Sequence, residues 1–136
     1  MDLSFYANKR VLVTGHTGFK GAWLCNILKQ VGAVVTGFSL EAPTNPNLFS
    51  ISGVDASMTS VTGDVRDLVH MMEVFKQAQP EIVFHLAAQP IVRESYRTPV
   101  DTYAINVMGT VNIMECVRLT PSVKSVVNIT TDKVYL

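Results

Sequence analysis

Two short stretches of this sequence carry residues whose types and spacing suit chemistry. The first is Thr14-Gly15-His16-Thr17-Gly18-Phe19-Lys20-Gly21, with glycines three apart. It follows a short apolar run, Val11-Leu12-Val13, and opens a helical pattern. A phosphate-binding turn needs such residues. Gly15 lets the chain turn sharply off a strand, Gly18 lets a pyrophosphate approach the backbone, and Gly21 lets the helix pack close. The helix N-terminus then offers N–H groups to the phosphates. The second stretch, Thr131-Asp132-Lys133, lies just beyond the last apolar run. Alone it is an ordinary polar turn. Its position matters because ligands in open α/β sheets bind beyond the carboxyl ends of the strands.

The elements that must position these residues follow from the apolar pattern. Short β-rich runs fall at 11–14, 33–38, 60–62, 82–86 and 126–129. Helical spacing is carried by Leu24, Ile27, Leu28 and Val31 over 18–31, with Gly32 placed to stop it. A second helix carries Leu68, Met71, Met72 and Phe75, with Asp67 at its start and Pro80 closing the segment. A third, long helix opens at Pro99 and carries Tyr103, Val107, Val111, Met114 and Val117. Residues 40–57, with Pro43, Asn45, Pro46 and Asn47, show no period and read as a loop. Alternating strands and helices with nearly continuous apolar strands predict an α/β fold, a Rossmann-type doubly wound parallel sheet. Five strands are expected in order 3-2-1-4-5, in one domain over 1–136, with the sheet incomplete at its C-terminal end.

Composition narrows the class. The chain has 136 residues, is 48% apolar and 16% charged, and carries no formal net charge. That suits a buried sheet and gives no electrostatic footprint for nucleic acid or an anionic membrane. No signal peptide and no apolar run of membrane length is visible. Cys25 and Cys116 fall in helical patterns as buried thiols, with no metal-ligand spacing. A cytoplasmic setting is expected. The acid usual at the tip of the second strand, where it holds the ribose hydroxyls, is replaced by Ser39, with Glu41 two residues on. No Arg stands near to take a 2′-phosphate, so the choice leans to NAD over NADP.

Taken together, these residues resemble the extended short-chain dehydrogenases, whose fingerprint Thr14-Gly15-x-x-Gly18-x-x-Gly21 follows. Gly63-Asp64-Val65-Arg66-Asp67 is similar to that family's acidic turn, which contacts adenine. His85-Leu86-Ala87-Ala88-Gln89 is similar to its strand-4 motif, which lines the cofactor. Val92, Ser95, Pro99, Asn106 and Gly109-Thr110 fall at the family's spacing. A narrower resemblance is to the CDP-glucose 4,6-dehydratases. It rests on Gly15–Leu24, on Ala42-Pro43-Thr44-x-Pro46-x-Leu48-Phe49 and on Asn128-Ile129-Thr130-Thr131-Asp132-Lys133.

The resemblance implies NAD as cofactor, held by Gly15, Thr17, Gly18, Phe19, Lys20, Gly21, Asp64, Val65, Leu86, Ala87, Ala88, Gln89 and Thr130. It implies a nucleotide-sugar substrate, a homo-oligomeric enzyme, and catalysis by Thr131, Asp132 and Lys133. Thr131 would bond the sugar C4 oxygen, Asp132 would be the acid for the departing C6 hydroxyl, and Lys133 the base for the C5 proton. Asn106 is implied as a structural hydrogen-bonding bridge. His85 reads as a satisfied core histidine, Trp23 and Met71–Met72 as packing, and Arg93 as either a phosphate contact or a solvated loop residue.

The family's Tyr-x-x-x-Lys pair and its substrate domain do not stand in these residues; Tyr135 has no Lys after it. The 136-residue chain is therefore expected to be inactive as a dehydratase. Other readings stay open: a different nucleotide-sugar epimerase or dehydratase, a stand-alone dinucleotide-binding module, or a remnant that does not fold stably.

Overall fold

The computed structural model describes residues 2–131. Five parallel strands, β1 (Arg10–Thr14), β2 (Val34–Ser39), β3 (Thr59–Thr62), β4 (Ile82–His85) and β5 (Ser125–Asn128), lie in the order β3-β2-β1-β4-β5. The expected topology is the one found. Register explains the two cores. Leu12 stands beside Val83, and Val83 beside Val126, so these face one side of the sheet. Val11 and Val13 face the other.

Helix α1 (Phe19–Gln30) covers the Val11–Val13 face with Ala22, Cys25 and Leu28. It ends where Gly32, at φ +82°, reverses the chain. Helix α3 (Leu68–Ala78) covers the Leu12–Val83 face with Met71, Val74 and Phe75. Its start is capped by Asp67, whose carboxylate accepts from His70 N–H at 3.0 Å. Both cysteines are buried. Burial pushes the Cys25 thiol up to about 12, which keeps it protonated and inert.

Several expectations are corrected. The segment 40–57 is not a plain loop. It holds a one-turn helix, α2 (Leu48–Ile51), capped by the Asn47 side chain, and a 3₁₀ turn at Val54–Ser57. Phe49 and Val54 from these turns complete the core over α1. One turn is too short to show a period, so sequence alone missed it. A second short helix, α4 (Val92–Arg97), was missed for the same reason. The long helix is not regular either. It runs as α5 (Pro99–Tyr103), a π-helical stretch (Ala104–Met108) and α6 (Gly109–Leu119).

Its core side is Gly109, Ile113 and Cys116, whereas Tyr103, Val107, Val111 and Met114 are exposed. Trp23, expected to pack, is 53% exposed. Among the described residues no helix is long and apolar enough to cross a membrane.

These faces carry a prediction. β5 ends the sheet; Val127 is exposed on the sheet face opposite α6, and the helix stripe is exposed as well. An uncovered strand edge and apolar stripe favour pairing. The purified 136-residue chain should elute from gel filtration above its monomer mass of 14.9 kDa. A clean monomer at high concentration would count against this.

Candidate functional site

The glycine turn, the β2 tip, the turn after β3, the segment after β4 and the residues after β5 all gather at the carboxyl ends of the strands. At Gly15 the backbone adopts φ +72°, which an L side chain rarely tolerates. A Cβ there would also stand 2.8 Å from Ala87 N. At Gly21 a Cβ would collide with the Gly15 carbonyl and stand 2.8 Å from His16 Cα. The third glycine thus packs α1 against the turn itself, more than against the sheet.

Gly18 differs. Its φ of −72° suits any residue. A Cβ there would meet only Gly15 O, at 3.3 Å. The space beside Gly18 is open, at the start of a helix that no side chain caps. This is the geometry a bound pyrophosphate requires, so the residues present fit a dinucleotide.

Of the remaining turn residues, Phe19 and Lys20 are exposed. Thr17 Oγ1 lies 2.8 Å from Ser39 Oγ and donates to Leu40 O at 2.9 Å. This hydroxyl pair, with no carboxylate, forms the β2 tip.

His16 was noted in the sequence only as part of the motif. Its ring lies against Gly37 of β2, where a Cβ would collide with it, and Nε2 is 2.7 Å from Ser60 Oγ. A glycine inside a strand was the available signal for that close approach. Burial pushes the His16 pKa down to about 4, against a weaker upward pull from the Phe38 backbone. Nδ1 has no hydrogen-bond partner among the described residues.

The unfolded chain, near the ordinary histidine value of 6.5, binds a proton that the fold does not accept until about pH 4. Stability from this group is therefore complete above pH 6.5 and is lost as pH falls through this window, by up to about 3 kcal/mol. Melting temperature should drop between pH 7 and pH 5. His16→Phe should flatten that drop, and an unchanged slope would exclude His16 as its source.

After β3, Asp64 is held by Arg66. The guanidinium reaches Oδ1 from Nε at 3.1 Å and Oδ2 from Nη2 at 2.6 Å. This pairing keeps the Asp64 carboxyl below its ordinary range. Val65 is buried against Gly109. Asn112 Nδ2 donates to Val65 O at 3.0 Å and anchors the turn to α6.

After β4, Leu86 packs against one core and Ala87 against the other, while Ala88 is exposed. Gln89 is clasped by Asn106, whose Oδ1 accepts from Gln89 N at 2.8 Å and whose Nδ2 donates to Gln89 O at 3.1 Å. Asn106 is the bridge that the resemblance implied. The Gln89 side chain is itself engaged, with Ile91 N and Thr102 Oγ1. His85 is a buried, hydrogen-bonded core histidine, as read from the sequence. Thr130 and Thr131 follow β5, exposed at the same end of the sheet. Asp132, Lys133 and Tyr135 lie outside the described residues.

A family model described as GDP-mannose 4,6 dehydratase matches residues 12–135. The chain belongs to this family. Among curated relatives, the CDP-glucose 4,6-dehydratase of Salmonella typhimurium is 51% identical over 135 residues, which is 99% of this chain and 38% of that protein. The chain thus spans well under half the length of that relative.

Among solved structures, the epimerase Mth375 of Methanothermobacter thermautotrophicus is 28% identical at TM-score 0.79, over 95% of this chain and 37% of that one. The UDP-glucose 4-epimerase of Bifidobacterium longum, solved with NAD⁺ and UDP, is 26% identical at TM-score 0.80, over 92% of this chain and 38% of that one. The fold of this chain is therefore shared with both of these epimerases.

Proposed function

We propose that this chain is the dinucleotide-binding part of an NAD-dependent nucleotide-sugar 4,6-dehydratase acting on CDP-glucose. The observation that carries this reading is the 51% identity, across 99% of the chain, to the Salmonella enzyme of that activity. When bound, NAD supplies the oxidation at sugar C4 and the hydride that returns to C6.

This chain's own residues hold the cofactor and serve the elimination. The open backbone at Gly18 and the start of α1 hold the pyrophosphate, with Thr17, Phe19 and Lys20 beside it. The Asp64–Val65 turn meets adenine. Leu86, Ala87, Ala88, Gln89 and Thr130 line the remaining length of the cofactor, and the neutral Thr17–Ser39 tip takes the ribose. Thr131 hydrogen-bonds the C4 oxygen. With a ketone at C4 the C5 proton is acidic; Lys133, as the free amine, removes it. Asp132 protonates the C6 hydroxyl, which departs as water. Lys133 can act so only if its amine is kept neutral by burial or a neighbouring cation.

The test is an assay of the natural polypeptide that carries this sequence, with CDP-glucose, UDP-glucose and GDP-mannose in parallel. Conversion of CDP-glucose to the 4-keto-6-deoxy sugar should be fastest. Preference for another nucleotide sugar would replace the substrate, and inversion at C4 without loss of water would replace the reaction. Titration with NAD and NADP should give tighter binding of NAD.

A further inference from the structure

Around His85 each shared hydrogen can be assigned. Thr14 and His85 are register partners across β1 and β4, so both side chains point to the face that α6 covers. Thr14 Oγ1 lies 2.6 Å from His85 Nδ1. The same oxygen accepts from Ala87 N–H at 3.2 Å and from Leu86 N–H at 3.1 Å, the latter shared with the Thr14 carbonyl at 3.2 Å. Two N–H donors use its two lone pairs. Among the described residues its own hydrogen then has one acceptor, Nδ1.

The opposite side gives the same answer independently. His85 Nε2 lies 3.1 Å from Thr110 Oγ1, and Thr110 gives its hydrogen to Asn106 O at 2.8 Å. With that hydrogen on Asn106 O, the Thr110 oxygen is left as an acceptor for a proton on Nε2. The line continues through the Asn106 side chain, which clasps both backbone polar groups of Gln89.

We propose that His85 is a positioning residue: a neutral imidazole, protonated on Nε2, that ties the end of β1 to α6 and so sets the backbone of Leu86–Gln89 against Gly15. This rests on the reading of the glycine turn and Leu86–Gln89 as the dinucleotide cradle. The margin there is small, since a Cβ on Gly15 would already stand 2.8 Å from Ala87 N. Histidine suits the place because it offers an acceptor and a donor on opposite edges of one rigid ring. Asparagine or glutamine can satisfy one threonine but not both. A charged imidazole would present a third donor to Thr14 Oγ1.

The test uses the full chain, with His85→Phe, His85→Gln and Thr110→Val. Long-range proton–nitrogen spectra near neutral pH should show His85 protonated on Nε2; the Nδ1–H form would overturn the assignment. Amide exchange at Leu86, Ala87 and Gln89 should quicken about tenfold in Thr110→Val and at least as much in His85→Phe, the size of one lost buried hydrogen bond, relative to Val13 and Val83. His85→Gln, which keeps one link, should fall between the parent and His85→Phe.

NAD dissociation constants should rise in the same order. If the amides exchange as in the parent, or if Val13 and Val83 quicken equally, His85 is only a core residue and the proposal fails. If the amides respond but the parent binds no NAD, the positioning role stands and the dinucleotide reading falls. Should His85→Phe not fold, Thr110→Val, which leaves the ring in place, decides by the same amides.

Discussion

Gly21→Ala should destabilise the chain by at least about 3 kcal/mol, while Gly18→Ala, three residues away in the same turn, should change stability by less than about 1 kcal/mol. At Gly21 a methyl would collide with the Gly15 carbonyl and crowd His16 Cα. Both neighbours are backbone, so neither can rotate aside. Relief requires α1 to lift from the turn, taking Ala22, Cys25 and Leu28 out of their core. A domain of this size has about 5–15 kcal/mol in total, so the loss is a large share of it.

At Gly18 the backbone is extended and the nearest atom to an added methyl is Gly15 O at 3.3 Å. That variant should fold normally and lose NAD affinity by about tenfold or more, because the methyl enters the space the pyrophosphate needs. Urea melts and calorimetric titration read the two effects separately. A Gly21→Ala chain as stable as the parent would deny the close packing. A Gly18→Ala chain with undiminished affinity would place the pyrophosphate elsewhere.

The second large effect concerns the chemistry. In the natural polypeptide, Asp132→Asn and Lys133→Ala should each slow water loss by roughly 10²–10⁴-fold, the range expected when one group of an acid–base pair is removed. Oxidation at C4 should be less affected, because neither group is assigned to it. The two steps separate by measurement: hydride arrival on NAD is read by absorbance, and C5 proton exchange with solvent by mass. Lys133→Ala should abolish C5 exchange. Asp132→Asn should keep exchange and block water loss. Retained elimination in Lys133→Ala would remove it as the base.

Much of this fold was legible because its signals are local. Strands β1, β2, β4 and β5 are apolar runs bounded by glycine, proline or polar residues, and a parallel sheet with right-handed crossovers then has few possible orders. The glycine turn was legible because φ > 0 and close backbone approach select one residue type. The stop at Gly32 was readable on the same basis, and Asp67 as an acidic charge at a helix start. Two short helices were not, since one or two turns carry no period. The reading of the long helix also failed in part. Tyr103, Val107, Val111 and Met114 repeat at helical spacing, but spacing marks an apolar stripe without saying what it faces.

By itself, then, the sequence determined the order of the five strands, the sheet class, the phosphate-type turn and the family resemblance, because each depends on residue type at short range. The tertiary structure alone decided which side of α6 is core and how Gly21 packs. It also decided that His16 is buried against Gly37, and that Thr14, His85, Thr110 and Asn106 form one hydrogen-bonded line to Gln89. Those partners are far apart in the chain. They meet only when β1, β4 and α6 are assembled, and the proton position on His85 follows from their joint geometry.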